Sequence, residues 1–349
     1  MNGRRTMLVL MTAAVAVRLL AATIAIAATD MQPNDLARLR DGPAYLAYVT
    51  AIRGGAEGFA QLAEYDRRVF AGYPLLLALI GADRLPLLAI ALNWLAAAGA
   101  AALAWRLYDD VRVGWAMAVL TPSYLLYSTT VMSEAVVVLA GVAAVLLMTR
   151  ARGVPAGVAL GFAAVARPLA LSFGAACLAV RSWRSRTFLS AAIVALLCVA
   201  AAGAWLWWWS GSLASGIDVY RSDTRAYGGN AIFTWPFASL IGVPLRESVP
   251  LWKIAYIWAH VAVVLAGLVL LLRERPRDRT SLAWLATNTA IAVSIGGIWG
   301  FHEFHRFLIP ALPPLFYAWR NLLPRHRGIW IAIGIASAVL AARGVGHGW

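Results

Sequence analysis

Several apolar runs in this chain reach roughly 20 residues without a charge, among them 187–209 and 254–272. That is the length a helix needs to cross the hydrocarbon of a bilayer. In lipid, every backbone polar group must be satisfied within the protein, so only helices and closed barrels span. The short alternating segments of an outer-membrane barrel are absent. The fold class is therefore all-α, a polytopic integral membrane protein. Composition agrees: 62% of residues are hydrophobic, 13% are charged, and mean hydropathy is +0.72. A soluble domain carries about 25% charged residues.

Hydropathy places membrane segments near 7–29, 85–107, 112–130, 133–149, 154–166, 168–180, 187–209, 252–272, 281–300, 305–321 and 328–344. That makes about 11 helices in a single domain covering 1–349. The pieces 154–166 and 168–180 are each too short to span. The break at Arg167-Pro168 removes a backbone hydrogen bond, and the two pieces read as a helical hairpin. The N-terminus, Asn2-Gly3-Arg4-Arg5 before a long apolar run, resembles a signal peptide. Arg18 sits in the middle of that run, and it reads as an uncleaved first helix that also acts as the targeting signal. Cys177 and Cys198 lie in apolar helices and pack as small hydrophobes.

Net charge is +14, and Lys253 is the only lysine. In a soluble chain that charge would point to nucleic acid; here the positive-inside rule accounts for it. With the N-terminus inside, the cytoplasmic loops hold 16 arginines against Asp109, Asp110, Glu274 and Asp278. The other 12 of the 16 acids lie on the outer face. Reading 154–180 as one full span would invert this order. The expected location is the inner (plasma) membrane, multi-pass, with any active site on the extracytoplasmic face.

Two outer loops are long, about 30–84 and 210–251. Loops of that length are usually functional. Within the first, Tyr45, Tyr48, Val49 and Ile52 share one helical face, as in an interfacial helix. Residues 70–80 are apolar but short, and are expected to dip into the outer leaflet.

The candidate chemistry sits in these loops and at the segment ends. Asp41 has the reach of a general base toward a hydroxyl, or it caps the interfacial helix. Asp35 competes for that role. Glu64 and Asp66 form a second acidic site, or a solvated patch balanced by Arg67 and Arg68. Glu134 opens a membrane helix, where the helix dipole favours an acid. Arg167 is an intramembrane charge at a hairpin tip, fit for a lipid phosphate or for a structural pair with an acid. Arg306 opens a helix at the same face. Arg221 and Arg225 reach a phosphate or sit in solvent. His302 and His305 stand three apart, half a metal site at most, and no metal is expected. Trp205, Trp207, Trp208 and Trp209 read as an interfacial aromatic belt.

Taken in order, these motifs resemble the GT-C class of polyprenol-phosphate-sugar-dependent glycosyltransferases. The resemblance extends to the branch related to GPI mannosyltransferase 2 and the protein O-mannosyltransferases. Asp41-Gly42-Pro43-Ala44-Tyr45 matches an Asp followed by Tyr in the first outer loop. Gly72-Tyr73-Pro74-Leu75-Leu76-Leu77 matches a Gly-Tyr-Pro turn before an apolar run. Pro122 and Tyr124 lead to Ser133-Glu134. Gly157, Gly161 and Arg167-Pro168 match the hairpin, and Arg306-Phe307-Leu308-Ile309-Pro310-Ala311-Leu312-Pro313 matches an Arg-aromatic-x-x-Pro-x-x-Pro ending. The match spans about residues 1–320. It departs in one place: many members carry paired acids in the first loop, whereas Asp41 is followed by Gly42.

The resemblance implies transfer of a sugar, mannose or another hexose, from a polyprenyl-phosphate donor. The acceptor would be a lipid, glycan or protein at the outer face, with inversion at the anomeric carbon. It makes Asp41 the base, helped by Glu64 or Asp66, with Arg167, Arg306 and Arg225 at the donor phosphate. Tyr45, Tyr73, Glu134 and His305 would border the substrate groove. No cofactor and no nucleic acid enter this reading; the expected partners are the donor lipid, the acceptor and membrane lipids. One alternative is a transporter or flippase for a lipid-linked glycan, which would favour a midplane site and two related halves. Another is a non-catalytic partner in an envelope complex.

Overall fold

A computed structural model describes residues 3–63, 66–67, 70–181, 183–212, 221, 233–274 and 278–347. Helix α1 covers Gly3–Thr29, and the loop after it carries two short helices, α2 (Gly42–Arg53) and α3 (Gly55–Gln61). Then follow α4 (Gly72–Ile80), α5 (Leu87–Tyr108), α6 (Val111–Val119), α7 (Pro122–Thr129), α8 (Glu134–Thr149), α9 (Gly153–Ala166), α10 (Leu171–Val180) and α11 (Arg186–Ser210). The second half holds α12 (Ala238–Arg246), α13 (Leu251–Arg273), α14 (Arg279–Ser294), α15 (Gly297–His302), α16 (Phe304–Phe307), α17 (Leu312–Ala318) and α18 (Arg327–His347). Among the described residues there is no β-strand.

The all-α class stands, but the count of 11 membrane helices does not. Five helices are long and apolar enough to span: α1, α5, α11, α13 and α18. A sixth span exists if α7 and α8 are taken together across their 111° bend. The physical reasons are local. Pro122 restarts the chain and divides 112–130 into α6 and α7. Gly296 and Gly297, the latter at φ 69°, end the run expected at 281–300. Pro310, Pro313 and Pro314 break 305–321 into short turns.

The hairpin at Arg167 is visible in its packing. Gly153 lies on Thr187 and Ser190, Gly157 on Ala191, and Gly161 on Ala195 and Cys198. The register rises together, so α9 and α11 run parallel and start at the same level. Phe173 of α10 lies against Gly141, two turns down α8 from Glu134. The chain therefore turns at Arg167 and descends again. Small residues at this spacing allow the backbone approach typical of helix pairs in lipid.

Burial sorts the spans. Only 11% of the apolar stretch of α11 is covered by protein, against 56% for α5. Leu196, Leu197 and Ile193 on α11 are exposed, as a lipid-facing helix requires. Helix α5 is the central post. Beside it, Arg18 is fully buried. Its guanidinium donates to Ser128 Oγ at 2.7 Å and to the carbonyls of Ala14 (2.8 Å) and Ala118 (3.1 Å). The two partners outside its own helix, Ala118 and Ser128, sit at the C-terminal turns of α6 and α7, where helix dipoles place negative charge. Arg18 thus ties two short helices to the first span.

Charge divides the two ends of the bundle. Gly3 packs on Arg106, Arg320 pairs with Glu274, and Tyr108 hydrogen-bonds Ser281 at 3.1 Å beside the cap Asp278. Residues 106–112, Glu274, 278–279 and 317–327 thus gather at one end. Asp41, Glu134 and Glu303 gather at the other.

Candidate functional site

The site is built where the described residues between α1 and α2, and α2 itself, meet the tips of α8, α9 and α16. Arg40 takes a left-handed conformation (φ 59°) and turns the chain into α2. Asp41 then occupies the N-cap position of α2, but its carboxylate makes no capping hydrogen bond. It points instead to Arg306, with Oδ2 2.9 Å from Nη1. Gly42 permits this turn, because a Cβ there would collide with the carbonyl oxygen of Ala37. Asp35 serves its own turn instead. Its carboxylate accepts from the Gln32 amide at 2.9 Å and closes a local capping box.

Glu134 is the centre. It is buried, and Oε1 accepts from both Arg167 Nη1 and Arg306 Nε. Its Oε2 has no hydrogen-bond partner. A buried carboxylate between two guanidiniums is stable only because the pairing offsets the loss of water. Arg167 reaches it from the α9–α10 break, where it lies extended (φ −164°, ψ 131°) ahead of Pro168. The break is held in place by α4: a Cβ on Gly72 would lie 2.7 Å from the Ala166 amide nitrogen.

The α7–α8 bend that aims Glu134 is fixed by Asn93 of α5. Its amide donates to the carbonyls of Thr130 (2.8 Å) and Met132 (2.9 Å). Its own carbonyl accepts from Tyr73 at 3.0 Å. Tyr73 meets Tyr45 edge-on, with ring centroids 5.0 Å apart. Tyr45 donates to Ser133 Oγ at 3.1 Å, beside Glu134. Burial, with the Glu134 charge adding to it, pushes the Tyr45 phenol well above its ordinary value. Tyr45 is thus a hydrogen-bond donor, not a base. Both tyrosines are buried, so they frame the site from behind rather than border an open groove.

Arg306 joins a second branch. Its Nη1 lies 3.7 Å from Glu303 Oε2, and its guanidinium stacks 5.2 Å from the Tyr127 ring. Tyr127 donates to Glu303 at 2.9 Å and lies 3.2 Å from His305 Nε2. A carboxylate only accepts, so the phenol proton goes to Glu303. His305 must then donate through Nε2–H, which leaves Nδ1 as the bare lone pair; that atom is buried and has no partner. The chain His305–Tyr127–Glu303–Arg306–Asp41 is therefore continuous. His302 turns away from His305, to Glu247 at 3.4 Å.

Exposure decides which groups can meet a substrate. Side-chain exposure falls from 23% at Asp41 and 16% at Glu303 to 11% at Arg167 and Arg306 and 1% at Glu134. Asp41 and Glu303 are the accessible acids. Counting Asp41, Glu134 and Glu303 against Arg167 and Arg306 gives a formal charge of −1. Arg40 and Lys253, which both act electrostatically on His305, and Glu247, which acts on Lys253, bring the sum to zero. Arg40 is anchored by a 3.1 Å bond to the Gly344 carbonyl.

Of the residues singled out in the sequence, Asp41, Glu134, Arg167, Arg306, Tyr45, Tyr73 and His305 come together. Asp66 makes no side-chain bond to this cluster among the described residues. Glu64 and Arg225 lie outside the described residues. Trp209, expected in the interfacial belt, is buried against Phe59 and donates to the Gly55 carbonyl at 2.7 Å; Trp207 and Trp208 are exposed. Glu303, Tyr127, Asn93, Arg40 and Lys253 were not among the expected site residues. Two carried a signal. Glu303 stands three before Arg306, a spacing that faces acid and base on a helix, and Lys253 is the only lysine. No protein-family model matches the chain, and no curated protein matches it significantly.

Proposed function

We propose that the chain is an inverting membrane glycosyltransferase that moves a hexose from a polyprenyl phosphate to an acceptor hydroxyl at the extracytoplasmic face. The observation that carries this reading is Asp41. It is an accessible carboxylate, not consumed as a helix cap, held 2.9 Å from a guanidinium that also binds a buried glutamate. The order of motifs described above supports the same reading.

In this scheme the acceptor oxygen attacks the anomeric carbon and its proton passes to Asp41. The bond from that carbon to the phosphate oxygen breaks, and its electron pair leaves on the polyprenyl phosphate. Positive groups placed where that charge develops do most of the electrostatic work. Arg306, Arg40 and Lys253 serve that role. Arg167 is tied to Glu134 and acts as a positioning residue. In this scheme Glu303, 16% exposed and paired with Arg306, is the second acid.

The test is Asp41→Asn in membranes supplied with labelled polyprenyl-phosphate hexose. Transfer should fall by about 10²–10⁴-fold, the usual contribution of a general base, at unchanged protein level. Wild-type transfer by the variant would sink the assignment.

A further inference from the structure

At the opposite, arginine-rich end lies a cavity of about 380 Å³ that the proposed chemistry does not use. Its walls include Thr6, Arg112, Trp115, Arg325, Arg327 and Trp330. They come from α1, from α6 and from the start of α18 with the turn before it. We infer that this cavity is a binding site for the phosphate headgroup of an anionic membrane phospholipid.

Charge is the first argument. Three arginines and, among the described residues, no acid line the cavity, and the neighbouring Asp110 is already committed. It holds Arg112 through two bonds, at 2.9 and 2.6 Å, and also caps α6. The pairing sets the Arg112 guanidinium as a rigid wall. Arg325 and Arg327 stand exposed at the rim. Guanidinium groups match phosphate oxygens in a planar fork.

Shape is the second. The rim is basic, while Val9 and Leu10 line the same cavity with apolar surface. A headgroup above its acyl chains has that same gradient. Leu8, Ile329 and Ile331 on the adjoining turns are exposed and apolar, so the cavity neighbours lipid-facing surface. Its volume lies at the small end of ligand cavities, about 300–1,000 Å³, which fits a headgroup rather than a whole lipid.

Rigidity is the third. Trp115 and Trp330 stack with centroids 6.4 Å apart and planes 12° from parallel. The Trp330 indole N–H donates to the Pro324 carbonyl at 3.1 Å, next to Arg325. Indoles favour the headgroup level of a bilayer. Basic cavities between spans on the positive side are where anionic headgroups bind. The level is right as well. Trp105, which also lines the cavity, lies in the last turn of α5, a span of 22 residues, about 33 Å along its axis.

The experiment uses the purified full chain in detergent, titrated by native mass spectrometry. The probes are dioleoyl-phosphatidylglycerol, dioleoyl-phosphatidylcholine and inorganic phosphate. One phosphatidylglycerol should bind at least about tenfold more tightly than phosphatidylcholine, and inorganic phosphate should not displace it. At about one surface charge each, Arg325→Gln should weaken it about fivefold and Arg325→Gln/Arg327→Gln about thirtyfold. Arg150→Gln/Arg152→Gln, at the same end but outside the cavity, should leave it unchanged. Arg325 is an exposed residue between helices, so the single variant keeps the fold, and its helical circular dichroism checks this. Equal affinity for the two lipids, displacement by inorganic phosphate, or equal losses in both double variants would overturn the assignment.

Discussion

Glu134 is the residue on which the site balances. Two arginines share one of its oxygens, and water is excluded from it. Removing one member of such a buried group leaves uncompensated charge, at about 3–5 kcal/mol. Glu134→Gln should therefore lower the thermal-unfolding midpoint of the detergent-solubilised protein well beyond the shift seen for Asp41→Asn. A midpoint equal to wild type would show that the two arginines do not depend on Glu134. These charged residues were legible in the sequence because a charge among apolar neighbours is costly and needs a reason. Asp41, Glu134, Arg167 and Arg306 all stood out on that ground. Asn93 did not. A neutral amide in an alanine-rich helix carries no such signal, and its value lies in two carbonyls exposed by a bend nearly 40 residues away. Glu303 was masked by its neighbours, since His302 and His305 suggest metal binding more readily than an acid–base relay.

At the scale of elements, short helices do the placing. The bend between α7 and α8, the break between α9 and α10, and the turns from α15 to α17 each bring a charged side chain to one point. Hydropathy detects apolar length but not bends, which is why segments near 112–130, 281–300 and 305–321 read as single long helices and are instead broken into shorter ones. The hairpin was legible because Arg167-Pro168 and the charge order both demanded a reversal. A pH effect belongs at this scale. His302 of α15 faces Glu247, just past the end of α12, with Lys253 and Glu303 also near. Burial, then the Lys253 charge, holds His302 below its ordinary 6.5 against the pull of the two acids. At a given pH below 6.5 the opened segment then binds more protons than the folded one. The stability of the folded segment is full above 6.5 and falls as pH drops through and below that value. Amide hydrogen-exchange protection across 297–302 should drop on acidification, and His302→Gln should remove the drop. Protection that rises on acidification would mean that the Glu247 pair dominates.

At the scale of the molecule, the chain separates two chemistries. One end collects arginines and a cavity shaped for a phosphate headgroup. The other collects the acids, with Arg40 and Lys253 supplying the positive balance. Five long spans hold the ends apart, and α5 touches both. This polarity was readable from arginine placement alone, whereas the meeting of residues 40–41, 134, 167, 253 and 303–306 required the fold. The central claim is that the acidic end takes a sugar off a polyprenyl phosphate. The most direct measurement is release of free polyprenyl phosphate from labelled polyprenyl-phosphate hexose by the purified chain, with an extract of membranes lacking the chain supplying the acceptor hydroxyl that takes the hexose, and with donor binding measured alongside. Wild type should release it. Asp41→Asn should bind the donor normally but release it at least about a hundredfold more slowly, and Arg40→Gln/Lys253→Gln should lose donor binding. An intact donor after incubation with wild type, or release by Asp41→Asn at the wild-type rate, would contradict the account.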